Sequence, residues 1–239
     1  MAPPRRAQRR GSPGLKQLFL GGLGTLILAG VCGLSAFVVS AHTRRSQGAQ
    51  PRPPAQSRDL SSRRVDAAPL TLEEVFPGAE IRAAEGAATY RIAMTHIDTD
   101  CGIATIGELG ALLVRHGCTQ VVRAALTAPY GGYRVTAGIF NLSDAAGARL
   151  VAARAGQLVA AGEGTFAAML GGLPGTDPEL QPATVTGWDT RGHFLLYCVI
   201  VRPDGRPVSD GDPFARRIIA DLVQAYLGDT VLGRRTPLP

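Results

Sequence analysis

Lysine is almost missing from this chain. Lys16 is the only one, so arginine supplies nearly all the positive charge, as in proteins encoded by GC-rich genomes. The sequence also lacks HExxH, CxxC and an EF-hand loop, the spacings that announce zinc and calcium sites. No Gly-x-Ser-x-Gly surrounds any serine, so no Ser/His/Asp constellation can be assembled by spacing. Gly131-Gly132 and Gly171-Gly172 read as turn and loop glycines, not phosphate cradles. A basic face is lacking on the larger part of the chain as well. Residues 1–68 hold eleven basic side chains against two aspartates, a local charge of +9, which leaves −3 of the total +6 for residues 69–239. That acidic balance excludes a nucleic-acid partner.

Charge is absent altogether from Leu18 to Val39. As a helix these 22 residues span about 33 Å, which matches a hydrocarbon core of about 30 Å. The apolar run is too long for the core of a cleaved signal peptide. The expected organisation is a disordered basic tail (1–16), a transmembrane helix (17–40), a disordered Pro/Arg/Ser-rich stalk (41–68) and one α+β domain (69–239). Five basic residues precede the span, against Arg44, Arg45, Arg52 and Arg58 after it. With the short tail and the cysteines beyond, this favours a cytoplasmic N-terminus and a domain outside the cell membrane. The lipid bilayer is thus the first expected partner. Ala29-x-x-x-Gly33 is a small-residue pair that would suit a homodimer within the membrane.

Beyond the stalk, Thr71-Leu-Glu-Glu74 caps a short helix. Thr89–Ile97 alternates as a half-buried strand, with Tyr90, Ile92 and Met94 on one side. Thr105-x-x-Glu108 predicts a helix to His116, its stripe Leu109, Leu112, Leu113 and His116, ended by Gly117. Strands follow at 118–128 and 133–142, joined around Pro129–Gly132. Ser143 is the expected cap of an Ala-rich helix from Asp144 to about Ala155. A Gly-rich loop precedes a second hairpin, 184–188 with 193–202. Its latter strand is apolar on both faces and should be central or covered. Asp212-Pro213 opens the last helix, with a stripe of Phe214, Ile218, Leu222 and Tyr226 and a stop at Gly228. This order predicts a two-layer sandwich: a ferredoxin-like βαββαβ unit with an added strand and a C-terminal helix, all helices on one face of an antiparallel-rich sheet.

With Asp100-Cys101, Gly117-Cys118-Thr-Gln-Val-Val-Arg123, Val135–Leu142 and Gly187-Trp188 in this layout, the chain resembles the uncharacterised single-pass membrane proteins of actinobacteria. That resemblance implies an extracytoplasmic domain and no particular activity.

Cys101, Cys118 and Cys198 lie in the outer domain. Cys198, mid-strand among apolar residues, reads as a buried reduced thiol, which leaves Cys101–Cys118 as the expected disulfide and Cys118–Cys198 as the alternative. The first pairing meets an obstacle: a helix over 106–116 is about 16 Å long, whereas bridged Cα atoms lie within about 7 Å. Either residues 101–104 run back along the helix or the helix is shorter. The densest polar cluster is His96, Asp98 and Asp100, which alternate at a strand end. It reads as a wet strand end with capping aspartates, and no metal or cofactor is expected. Asn141-Leu-Ser143 matches a glycosylation sequon, of meaning only in a pathway that glycosylates. The expected function is non-catalytic binding, sensing or scaffolding of an envelope protein or ligand. The alternative is an envelope hydrolase or a thiol- or metal-dependent enzyme using His96/Asp98/Asp100 or the free cysteine.

Overall fold

The computed structural model describes residues 59–169, 184–209 and 211–235. The apolar run at 17–40, with Ala29 and Gly33, lies outside the described residues, and among these no helix is long and apolar enough to cross a membrane. All the described residues belong to one unit, Ala55–Pro239.

Thr71 caps α1 (Leu72–Val75), its hydroxyl accepting from Glu74 N at 3.1 Å. Next come β1 (Glu80–Arg82), β2 (Thr89–Asp98), a single 3₁₀ turn (Cys101–Ala104), β3 (Thr105–Gly107) and α2 (Glu108–Arg115). The central strands are β4 (Gln120–Thr127) and β5 (Arg134–Asn141), followed by α3 (Ala145–Ala161) and β6 (Gly164–Phe166). The last hairpin is β7 (Val185–Arg191) with β8 (Phe194–Val201). The chain closes with α4 (Pro213–Ile219), which widens into a π-helix over Ala220–Leu232 and ends in a last turn, Gly233–Arg235.

The fold is α+β with an antiparallel six-stranded sheet in the order β1-β2-β4-β5-β8-β7, and β3 pairs separately with β6. This corrects the ferredoxin-like expectation. There, β2 and β4 would be parallel and split by another strand; here they are adjacent and antiparallel, with Asp98 opposite Val121. The cause lies in the connection between them. Cys101 and Cys118, just past the facing strand ends, are disulfide-bonded with Cα atoms 6.3 Å apart, so the chain returns beside the strand it left.

The expected two layers are three. Every residue of β8 is buried, and its side chains alternate between two cores. Phe194, Leu196, Cys198 and Ile200 pack with Val122, Ile139, Ile218, Leu222 and Leu227, beneath the C-terminal helix. Leu195, Tyr197 and Val199 pack with Leu109, Leu113, Phe140, Val151 and Phe166, beneath α2 and α3. A strand apolar on both sides needs a cover on both, because each fully buried large apolar side chain is worth about 1.5–3 kcal/mol.

Several local expectations shift for physical reasons. In β2 the register slips between Ile92 and Met94. The extra residue of this bulge reverses the alternation, so Met94 lies on the face opposite Tyr90 and Ile92. The α2 helix is capped by Gly107, because Thr105 belongs to β3 and donates its hydroxyl to Gly102 O. His116 is its C-cap. Asp144, not Ser143, caps α3 by accepting from Gly147 N at 2.8 Å, and the helix runs on to Ala161. Asp212 and Pro213 do open the last helix, but Phe214 is 46 % exposed and Gly228 is buried within the π segment. Ile218, Leu222 and Tyr226 of the expected stripe are buried; hydrogen bonds that skip five residues then widen the turn, and Leu227 and Val231 are buried as well.

Residues 59–68 are docked, although the stalk was expected to run to 68. Arg63 N donates to Ser143 O, Ala145 N to Ser61 O, and His193 N to Leu60 O. The Arg63 guanidinium donates to Gly117 O at 2.7 Å and to Thr119 Oγ1 at 2.8 Å. Leu60 lies so close to the β7–β8 turn that a Cβ on Gly192 (φ +59°) would stand 2.2 Å from Leu60 O.

Candidate functional site

Cross-strand register places one row of side chains across the face covered by α2 and α3. His96 on β2 is opposite Arg123 on β4, Arg123 opposite Gly138 on β5, Gly138 opposite Tyr197 on β8, and Tyr197 opposite Trp188 on β7. Glycine at 138 is what lets its neighbours approach each other. A Cβ there would lie 2.8 Å from Arg123 Cβ and 2.9 Å from Tyr197 Cε1, and 2.6 Å from Val122 O.

Arg123 is 9 % exposed. Among the described residues no carboxylate lies within ion-pair distance of it, and its Nε makes no hydrogen bond. Tyr197 is fully buried, stacked on Phe140 at 4.9 Å and on Phe166 at 5.0 Å between ring centroids. Its hydroxyl is also without a hydrogen bond. Burial raises the phenol pKa, and the nearby Arg123 guanidinium opposes that rise. His96 completes the row: its Nδ1 is buried and unpartnered, while its Nε2 lies 4.0 Å from Asp98 Oδ2. One row along the same face, Met94, Ala125, Thr136 and Met169 help to line a hollow of about 30 Å³.

The His96–Asp98–Asp100 cluster is only partly one site. His96 and Asp98 share the face of Arg123, as alternation requires. Asp100 has left the strand and caps the 3₁₀ turn, accepting from Gly102 N at 2.8 Å. Asp98 in turn accepts from Asp100 N at 2.8 Å. That hydrogen bond holds its carboxyl below the usual range, with smaller contributions from His96 and Arg123. No group of three or more metal-ligating side chains occurs among the described residues.

The Cys101–Cys118 disulfide is present, and both ways around the length obstacle are used. The helix α2 is only eight residues long, and the 3₁₀ turn packs back against it. Cys198 is a free, fully buried thiol on the opposite face from Arg123, and burial pushes its pKa up to about 12. A thiol so placed supplies no thiolate nucleophile. Asn141 of the sequon is 2 % exposed, out of reach of a glycosyl donor in the folded chain.

The face under the C-terminal helix carries a second polar network. Arg235, 6 % exposed, donates to Asp66 Oδ2 (2.8 Å), Glu74 Oε2 (2.8 Å), Ala68 O (2.9 Å) and Pro69 O (3.0 Å), with Glu74 Oε1 on its Nε. Asp221 accepts from Tyr90 (2.9 Å), Tyr130 (3.0 Å) and Arg217 (2.8 Å). His193 is fully buried, its Nε2 3.8 Å from Asp66 Oδ2, and burial lowers its pKa to about 4, so the imidazole is neutral.

Sequence reasoning passed over Arg123 and Tyr197 as site residues. The signal was there: one charge in the middle of the apolar run VVRAAL, and one hydroxyl in FLLYCVIV. No family model, curated protein or solved structure matches the chain.

Proposed function

We propose that this chain is a membrane-anchored domain displayed outside the cytoplasm, where it binds a ligand or envelope partner and does not transform it. The binding half of this reading rests on one observation: a buried guanidinium beside an unpartnered tyrosine hydroxyl and a histidine, with no serine, cysteine or lysine in the row. Such a set can hold and orient a polar group. The location rests on the apolar run at 17–40, on the basic flanks, and on a disulfide that an oxidising compartment would keep. The likeness to single-pass proteins of actinobacteria agrees with that placement. Any pairing of copies through Ala29 and Gly33 belongs to the same proposal.

Protease added to intact protoplasts carrying the full chain, tagged at both ends, tests it. Removal of the C-terminal tag with the N-terminal tag spared is expected. Protection of the C-terminal tag would overturn the location, and a mature chain beginning near His42 would overturn the retained anchor.

A further inference from the structure

We propose that Arg123, with Tyr197 and His96, forms a binding site for a small oxyanion, a carboxylate or phosphate group. The inference rests on the binding reading above and names its ligand class. Taking a guanidinium out of water without a counter-charge is costly in a folded protein, and buried charges are found where a partner charge meets them. Arg123 has lost nine-tenths of its exposure and has no carboxylate within ion-pair distance among the described residues. By contrast, Arg235, equally buried, is fully provided for by Asp66 and Glu74. Donors are what the row offers. Arginine carries a planar fork suited to oxyanions, the Tyr197 hydroxyl is an uncommitted O–H, and His96 presents an unpartnered ring nitrogen.

The charged and titratable groups facing Arg123 are His96 and Asp98 from β2 and Tyr197 from β8. Asp98 is the single acid, and it is engaged by the Asp100 backbone N–H at the strand end. The approach runs past Met94 and His96. Met94 is 44 % exposed, and the His96 side chain is 40 % exposed. Gly138 lies between Arg123 and Tyr197 in the row, where a Cβ would meet both.

The test uses the full chain in detergent micelles, titrated with sodium phosphate and sodium acetate against sodium chloride of matched ionic strength. Readouts are the thermal midpoint and the emission of Trp188, the one tryptophan of the chain, which sits at the end of the row beside Tyr197. Phosphate, acetate or both should raise Tm saturably by about 5 °C or more at a hundredfold excess over Kd, and chloride should not. A rise with phosphate alone assigns a phosphate group, and with acetate alone a carboxylate. The rise should vanish in Arg123→Met and shrink in Tyr197→Phe, the second variant serving if the first does not fold. No saturable rise over chloride with either anion, or an undiminished rise in the variants, overturns the site. That failure would leave the location untouched, since the protoplast result does not depend on the site.

Discussion

The two faces of the sheet each bury an arginine, and they treat it in opposite ways. Under the C-terminal helix, Arg235 makes five hydrogen bonds to two carboxylates and two backbone carbonyls, and its guanidinium also lies 5.6 Å from the Phe194 ring centre. Under α2 and α3, Arg123 has a phenol and an imidazole for neighbours and no acid within ion-pair distance among the described residues. The first arrangement is complete in itself and ties three parts of the chain together. The second is left open, and a group left open in an otherwise close-packed layer is where a ligand would be accommodated. Burial alone therefore does not separate structural from functional charge; the inventory of partners does.

The largest expected effect comes from removing one side of the complete network. A chain beginning at residue 69 loses Leu60, Arg63 and Asp66, and leaves Arg235 and His193 without the segment that covers them. A chain beginning at Ala55 should unfold cooperatively in urea, whereas one beginning at Pro69 should show no cooperative transition. Equal midpoints for the two would dissolve the distinction between docked segment and stalk.

Next in size is the pair of arginine replacements. Arg235→Met strands Asp66 and Glu74 and should cost about 3–5 kcal/mol, as breaking a buried ion pair does. Arg123→Met strands no acid and should be neutral or slightly stabilising in anion-free buffer. Similar losses in both, measured by chemical denaturation, would erase the contrast between the faces.

Replacing Cys101 and Cys118 by alanine opens a loop with a sequence separation of 17, for which chain entropy gives about 3 kcal/mol. The β2–β4 pairing held by that bridge carries His96 beside Arg123, so any anion response should weaken with it. A double variant as stable as the parent would mean that the strand pairing alone fixes the neighbours.

The last effect is a slope. The unfolded chain protonates His193 near pH 6.5, while the native imidazole resists until about pH 4. The unfolded state thus binds more protons in that window, and stability should fall as pH drops from 6.5 towards 4, the His193 contribution being fully present above it. His193→Gln should flatten this part of the stability–pH curve. An unchanged slope would assign the acid sensitivity elsewhere.

Much of this layout is legible from the residues, and the failures have local causes. Thr71 at a cap, Gly117 as a left-handed stop, Asp212-Pro213 at a helix start and the two-sided apolarity of β8 all act through nearest neighbours, and all can be read. The three layers were implicit in β8, since a strand apolar on both faces demands two covers. What could not be read depends on partners far along the chain. The bulge after Ile92 reveals itself only against β4. The β3–β6 pairing joins Thr105–Gly107, which reads as a helix start, to Gly164–Phe166, which reads as loop. Arg63 looks like one more stalk arginine until Gly117 and Thr119 are placed beside it. Likewise, the want of a partner for Arg123 exists only once every neighbour is known, although a lone charge inside an apolar strand was the cue.

The grip of Arg235 on Asp66, Ala68 and Pro69 brings the last described turn and the first described residues to one corner of the fold. Tension arriving from the N-terminal side therefore enters beside the place where the chain leaves. It is met first by contacts taken in turn: Leu60 with His193, then Ser61 with Ala145, then Arg63 with Ser143, Gly117 and Thr119. These open one after another, as in peeling. Arg235 lies behind them with several bonds to different parts of the chain, which must be sheared together. A pull would thus spend the docked lead, from Asp59 to about Asp66, before any strand of the sheet is loaded.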